Sequence, residues 1–536
     1  MAKDDDFKLK KPGEIRTRFA PSPTGSFHMG NARTALFSFL FSRNQQGRVI
    51  LRIEDTDKER STPENEKNLI EILKWLGINW DEGPDIGGDY GPYRQSERLE
   101  IYEKYLKNLL KQGSAYHCFC TEEDLEARRQ YLMSVGQPPI YNGKCHNLPE
   151  KTIKKYLEEE KPSIIRFKTP SKKIVFEDLV KGKMEIDAGV IGDFSVARDL
   201  KSPLYNFACA IDDFEMKISH VIRGDDHLSN TPKQILIYEA LRFSIPKFGH
   251  LPMVLAPDKS KLSKRKHGNV AVEDFKKQGY LAEALVNFLA FLGWNPGTER
   301  EIYSMASLIK EFSLERVKKA GAIFNIKRLD YLNGFYIRQK PLEDLTQKCL
   351  PYFIESNLIE PIFESREKVP DLTGIFGKEI VLNYAIKETK EKINFDYLTR
   401  VVSLYQERLK NLSEIVKLTD YFFNEKLNYQ KDLLKWKSQT DNDVLSVLDK
   451  LEKILSEIKN EGWNKQNLTN ILLKQAAEWG RAHFQTEDRG YVLWPFRVSL
   501  TGKEASAEPF DIAEILGKQK TLKRIKKAKE LLQISA

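Results

Sequence analysis

Cysteine is scarce in this chain, with five residues in 536. That is too few for a disulfide framework and points to a reducing, cytoplasmic setting. Long apolar runs are also missing, since none approaches the ~18 residues that a membrane-spanning helix needs. The opening MAKDDDFKLKKPG has acids and no apolar stretch. Residues 1–13 are therefore expected to form a flexible N-terminus, and neither a signal peptide nor a transit peptide. No fixed-period repeat or low-complexity tract occurs, which excludes solenoids and arrays. Excess charge of one sign is small as well, 86 basic against 77 acidic residues for a net +9.

Hydrophobic residues make up 41% and charged residues 30%, a composition that folds into globular domains. The length implies about three to five of them. The small net charge is unevenly spread. From Gly517 to Ala536 the cations Lys518, Lys520, Lys523, Arg524, Lys526, Lys527 and Lys529 stand against one acid, Glu530, so two-thirds of the net charge sits in the last twenty residues. An anionic partner, nucleic acid, is the expectation this raises. On the same segment Leu522, Ile525, Ala528, Leu531 and Leu532 form an apolar stripe, which equally suits a helix docked on its neighbours.

The first ordered segment alternates Ile15, Thr17 and Phe19 with Arg16 and Arg18, a strand period. Pro21-Ser22-Pro23-Thr24-Gly25 then breaks any element. Ala32, Ala35, Leu36, Phe39 and Leu40 recur at helical spacing across 30–43, and 48–53 is a short apolar strand ending at Glu54-Asp55-Thr56-Asp57. Strand, turn, helix and strand in about forty residues make a βαβ unit whose ligand end is the turn that opens the helix. Residues ~115–205 change character, with cysteines, Pro138-Pro139 and strand-like stretches at 163–168 and 173–177, and read as an insertion. The α/β pattern resumes near Tyr205. Beyond ~330 amphipathic helices dominate, as at 442–458 and 468–482.

Two clusters carry chemistry. Gly25 and Gly30 have the G-x-x-x-x-G spacing of a P-loop, but Asn31-Ala32 follow where Lys-Ser/Thr is required, so the P-loop reading fails. Small residues at a helix start still let phosphate approach the free backbone N–H groups, and His28 adds a donor there. The alternative is a core histidine between Phe27 and Met29. The second cluster, Lys261-Leu262-Ser263-Lys264-Arg265-Lys266 with His267-Gly268, is by itself compatible with a solvated loop.

Taken as a pair, His28-Met29-Gly30-Asn31 and Lys261-Leu262-Ser263-Lys264-Arg265 resemble the two signature motifs of class I aminoacyl-tRNA synthetases. The flanking RFAPSPTG, the run Arg52-Ile53-Glu54-Asp55-Thr56-Asp57 and Val221-Ile222-Arg223-Gly224-Asp225-Asp226-His227 narrow the resemblance to the bacterial-type glutamyl-tRNA synthetase family. It runs from about Ile15 to the carboxy-terminus. The resemblance implies an α/β fold, with a Rossmann-type catalytic domain carrying an inserted acceptor-binding α+β domain, followed by all-α anticodon-binding domains. The expected boundaries are 14–114 and 205–256 for the two Rossmann halves, 115–204 for the insertion, and 257–335 for the catalytic loop and stem-contact region. Helical subdomains are expected at 336–440 and 441–536.

The same resemblance implies two steps, activation of L-glutamate by ATP with Mg²⁺ and transfer to the terminal ribose of tRNA(Glu). It implies a cytoplasmic, monomeric enzyme. Catalytic roles fall on His28 and Lys264, and ATP contacts on His28, Gly30, Asp226, Val254 and Lys264. Glutamate contacts fall on Arg18, Ser22, Glu54, Tyr205, Cys209 and Arg223. Physics agrees with that set: two carboxylates suit guanidinium forks and an ammonium suits an acid. Cys209 is a departure, since some family members have asparagine there. Cys118, Cys120 and Cys145 resemble the zinc motif of some members, which is completed by a histidine two residues on. Here that position is Asn147 and the histidine is His146, so no metal ligand is assigned. Rival readings are an enzyme that also charges tRNA(Gln), the shortened paralogue that ends near residue 300, and an inactive tRNA-binding relative.

Overall fold

The computed structural model describes residues 14–57, 59–262, 266, 268, 270–362 and 383–533. The chain divides into two compact units, residues 1–277 with 282–332, and residues 278–281 with 333–536. Among the described residues no helix is long and apolar enough to cross a membrane.

The first unit is built from β1 (Arg16–Phe19), α1 (Met29–Asn44) and β2 (Arg48–Leu51), then β3 (Ala115–Cys118), β4 (Ile164–Phe167), β5 (Lys173–Asp178), β6 (Gly182–Asp187) and β7 (Ser195–Ala197), and finally β8 (His220–Gly224) and β9 (Lys247–Leu251). The main sheet runs β2-β1-β8-β9-β5-β6. Pairing is parallel from β2 through β1, β8 and β9 to β5, and β6 closes the edge antiparallel. The expected βαβ unit is present, because α1 returns the chain so that Arg18 lies beside Ile50 in register. Its apolar residues Ala32, Ala35, Leu36, Phe39 and Leu40 are all buried, as a helix laid on a sheet requires. Gly47 allows the return: a side chain there would collide with the carbonyl of Ile15.

β1 lies between β2, which follows it after one helix, and β8, which arrives some two hundred residues later. The order of connection reverses at β1, and in an open parallel sheet the crevice beyond the strand ends at such a reversal is where ligands bind. Arg18 near the end of β1 and Arg223 near the end of β8 therefore share that crevice edge.

Residues 115–204 do not form one separate insertion. β3, β4 and β7 make their own antiparallel sheet, whereas the hairpin β5–β6 joins the main sheet beside β9. Alternating Ile174 and Phe176 gave the strand period but not the partner, which is set by packing far along the chain.

The second unit is helical, as expected. Asp441–Glu457 opens with a capping box between Thr440 and Asp443, followed by Lys465–Phe484, Gly490–Thr501 and Pro509–Gln533. It also contains a three-stranded antiparallel sheet, Ile359–Ile362, Asn383–Ile386 and Lys392–Asn394, which the helical periodicity had hidden. The basic tail is docked. Ile525, Ala528 and Leu532 are buried, and its cations are largely consumed within the unit. Lys520 pairs with Glu391 at 2.5 Å, Lys529 with Asp449 at 2.5 Å and with Glu452 at 2.7 Å, and Lys523 with Glu425. Lys518 donates to the carbonyls of Ser456 and Ile458 at 2.8 and 2.6 Å. Buried Arg524 donates to the carbonyls of Leu500 and Tyr421, each at 2.5 Å.

Candidate active site

His28 occupies the N-cap of α1 with extended backbone, φ −83° and ψ 153°, and its side chain makes no capping bond. Phe27 and Met29 on either side are buried while His28 is exposed. The core-histidine alternative is therefore excluded, and the imidazole stands at the positive end of a sixteen-residue helix, where an anion is favoured. The space above Gly30 is open. Val254, in a two-stranded ladder with Ala322, is buried, and Asp226 is exposed with Lys261 Nζ 3.8 Å away. Lys264, with Ser263 and Arg265, lies outside the described residues. Ser22 is exposed on the turn after β1, and its carbonyl accepts from the N–H of Thr24 at 2.9 Å.

Three of the expected glutamate-binding residues meet around two others. Arg18 Nε donates to Asp213 Oδ1 at 3.1 Å, and Arg52 Nη1 donates to the same oxygen at 2.6 Å. Arg52 Nη2 donates to Glu54 Oε1 at 3.0 Å. Cys209 Sγ sits 3.5 Å from Arg52 Nη2 and 3.9 Å from Arg18 Nη2. All five side chains are buried. Such a cluster survives only because each charge is paired and hydrogen-bonded. Burial opposes the Asp213 carboxylate, but Arg18 and Arg52 outweigh it and hold the group below the usual range. Burial opposes the charge on Arg18 too, and Asp213 carries its pKa above the ordinary value.

Glu54 is different. Burial raises its pKa despite Arg52 and Arg18, so it is an acid short of positive charge. A substrate ammonium brought to it would supply that charge. Tyr205, at the start of the helix Tyr205–Glu215, places its hydroxyl 2.9 Å from His227 Nδ1. Burial pushes its phenol upward, with Cys209 and Glu54 adding to the shift and Arg223 and Arg18 opposing it, which places all four within its electrostatic reach.

Arg223 stands on β8 in register with His250 on β9. Its Nε donates to His250 Nε2 at 3.1 Å and its Nη2 to Thr231 Oγ1 at 2.8 Å. The remaining nitrogen, Nη1, is buried without a partner among the described residues. A buried guanidinium nitrogen left unpaired costs free energy unless a ligand satisfies it.

Arg52 and Asp213 had no assigned role in the sequence reading. A signal existed: Arg52 lies in the RIEDTD run that carried the resemblance, and Asp213 falls four residues after Cys209 and eight after Tyr205, on one helix face. His250, Thr231 and Asp178 gave no local signal.

The cysteine cluster is assembled. The thiols of Cys118, Cys120 and Cys145 lie within 4.8 Å of one another. The Tyr141 hydroxyl is 3.3 Å from Cys118 Sγ and 3.5 Å from Cys120 Sγ. His146 does not join them: its Nδ1 is 2.8 Å from Asp193 Oδ2, which also accepts from the Tyr116 hydroxyl at 2.6 Å. Three sulfurs and a phenol oxygen, once deprotonated, would make the four donors that tetrahedral zinc takes, with Tyr141 in the place expected of histidine.

Residues 14–331 match the family described as tRNA synthetases class I (E and Q), catalytic domain, and residues 345–529 match an anticodon binding domain. The chain is 46% identical over 518 residues to glutamate–tRNA ligase 1 of Caldicellulosiruptor saccharolyticus, covering 96% of this chain and 98% of that protein. It is 43% identical over 512 residues to the glutamate–tRNA ligase of Carboxydothermus hydrogenoformans, covering 95% and 99%. A crystal structure of a glutamate tRNA ligase from Elizabethkingia meningosepticum, in complex with its amino acid, superposes with TM-score 0.79 at 32% identity, covering 96% of this chain and 99% of that one. The two family matches, with the parallel sheet reversing at β1, define a class I tRNA synthetase with an anticodon-binding domain. Within that class, the chain belongs to the bacterial glutamate–tRNA ligase family.

Proposed function

We propose that this chain activates L-glutamate with ATP and transfers it to the 3′-terminal ribose of tRNA(Glu). A glutamate α-carboxylate oxygen attacks the α-phosphorus of ATP, the bond to the bridging oxygen breaks and pyrophosphate leaves. A terminal ribose hydroxyl then attacks the activated carbonyl carbon, and AMP leaves with the C–O bond electrons. Neither step needs a protein nucleophile; both need positioning and charge stabilisation.

The observation that carries this reading is the buried set at the crevice: Arg18, the charge-hungry Glu54, and Arg223 with an unpaired Nη1. Arg18 and Arg223 take the two carboxylates and Glu54 the ammonium, with Tyr205, Cys209 and Ser22 around them. His28 and the start of α1, with Gly30 beside it, meet the phosphates, and Asp226 and Val254 the rest of ATP. Lys264 neutralises the departing pyrophosphate. Magnesium bound with ATP would supply further charge neutralisation beside His28 and Lys264. The enzyme acts as a cytoplasmic monomer.

ATP–pyrophosphate exchange tests the proposal, with glutamate or glutamine as substrate, with and without tRNA. Exchange should depend on glutamate and require tRNA(Glu), and Lys264→Ala should reduce it while leaving tRNA binding nearly intact. Absence of glutamate-dependent exchange with every tRNA tried would refute the activity.

A further inference from the structure

Among the described residues Arg223 has no carboxylate partner; a histidine and a threonine hold it instead. Its Nε donates to His250 Nε2 at 3.1 Å and its Nη2 to Thr231 Oγ1 at 2.8 Å, while Thr231 Oγ1 and His250 Nε2 are 3.0 Å apart. His250 is held in turn. Its Nδ1 is 2.6 Å from Asp178 Oδ2. The other oxygen, Asp178 Oδ1, accepts from the N–H groups of Val180 at 2.9 Å, Lys181 at 2.8 Å and His250 itself at 3.2 Å. Asp178, His250, Thr231 and Arg223 are all buried.

This chain of bonds has one consistent proton arrangement. Asp178 is a carboxylate and only accepts, so Nδ1 of His250 carries the proton. Nε2 is then a bare acceptor and receives Arg223 Nε–H. Were the proton on Nε2 it would point at another donor, and Arg223 would lose that anchor. Two of the three guanidinium nitrogens are thus fixed, and the third is buried without a partner. Asp178 reaches this place only because the hairpin β5–β6 joins the main sheet beside β9, so a strand from within the inserted stretch sets an arginine two strands away.

We infer that Asp178 and His250 are positioning residues for amino-acid binding: Asp178 sets the tautomer of His250, and His250 with Thr231 orients Arg223 so that Nη1 is left for a substrate carboxylate. This rests on the proposed role of Arg223 as a glutamate ligand. Neither Asp178 nor His250 touches the substrate.

The test is steady-state aminoacylation of tRNA(Glu) by full-length variants. Asp178→Asn keeps the shape and the carbonyl that accepts from Val180 and Lys181, but presents an amide donor to His250 Nδ1 and drives the proton to Nε2. KM for glutamate should rise about 10-fold or more, the loss of a hydrogen bond to a charged group, with KM for ATP changed less than about 2-fold. His250→Gln keeps a side-chain oxygen able to accept from Arg223 and should raise it less; it carries the same comparison if Asp178→Asn does not fold.

The pH profile gives a second readout. Four charged or titratable groups act on His250: Asp178, Arg223, Asp225 and His227. A second proton on His250 would turn Nε2 into a donor against Arg223. The wild-type kcat/KM for glutamate should therefore fall on the acid side, with the break displaced in Asp178→Asn. Arg223→Lys separates the two claims. If Arg223→Lys raises KM for glutamate and Asp178→Asn does not, the positioning role fails and the glutamate-binding role stands. If Arg223→Lys leaves it unchanged, the glutamate-binding reading itself fails. Equal rises in KM for glutamate and for ATP in Asp178→Asn would also overturn the positioning role.

Discussion

Arg52 and Asp213, 161 residues apart in sequence, meet at 2.6 Å with both side chains at most 1% exposed. The same guanidinium holds Glu54, and the same carboxylate oxygen holds Arg18. One ion pair thus ties together the two ends of the proposed amino-acid pocket, Arg18 and Glu54.

Breaking that pair from one side leaves a buried charge without its partner. Arg52→Met or Asp213→Leu should each destabilise the protein by about 3–5 kcal/mol, read from the urea midpoint of unfolding. The double variant should cost less than the two single variants together, because the Arg52–Asp213 contact is then lost only once, while Glu54 and Arg18 each still lose a partner. Additive losses would show that the residues do not act as a unit.

Cys209 lies buried beside Arg18 and Arg52, and its chemistry is muted. Burial, with Asp213 and Glu54 adding to it, pushes the thiol up to about 12, so thiolate is rare at neutral pH and alkylation should be slow. After brief treatment of the folded enzyme with iodoacetamide at pH 7.5, peptide mass spectrometry should find Cys209 unmodified and full activity retained. Since its sulfur lies 3.5 and 3.9 Å from the two arginines, Cys209→Ala removes only weak contacts. KM for glutamate should then change less than about 5-fold, within the range of one ordinary hydrogen bond; a larger change would make the thiol a strong substrate contact.

The residues that advertised themselves in the sequence are those whose work is local. His28 and Gly30 sit where strand, turn and helix follow within one short segment, so the helix start could be read directly. Arg52 was visible within its motif, but its task is set by Asp213, which only the fold brings near. Asp178 lay one residue beyond the stretch 173–177 that showed a strand period, and nothing in that period names β9 as its neighbour. Register and sheet order come from distant packing, and a hairpin inside an insertion gives no sign that it will return to the parent sheet. The small sheet of the second unit escaped notice because its strands are only three or four residues long between helices.

The basic tail shows how a charge count can mislead. Seven cations in twenty residues suggested a surface for RNA, but Lys518, Lys520, Lys523, Arg524, Lys527 and Lys529 all have partners within the second unit, and Lys526 is exposed beside the paired but also exposed Lys523. Lys526→Ala should lower the salt slope of tRNA binding by at most about one counterion. Ile525→Ala, in the buried stripe, should destabilise by about 2–5 kcal/mol in thermal or urea unfolding. A steep loss of salt dependence in Lys526→Ala with unchanged stability in Ile525→Ala would restore the RNA-surface reading.

The thiols of Cys118, Cys120 and Cys145 converge with the Tyr141 hydroxyl beside the β3–β4–β7 sheet of the first unit. His146 faces Asp193 instead, so a fourth donor, were zinc bound, would come from Tyr141, four residues before Cys145, and not from the residue after it. Zinc needs four donors and favours deprotonated sulfur. Protein purified without added metal should carry about one zinc per chain by atomic emission. Cys120→Ser should lower that content sharply, Tyr141→Phe should weaken retention against a chelator, and His146→Ala should change neither. Clearly substoichiometric zinc in the unsubstituted protein would mean that the cluster is held by its own Cys–Tyr hydrogen bonds. Loss of zinc in His146→Ala with retention in Tyr141→Phe would return the fourth position to histidine.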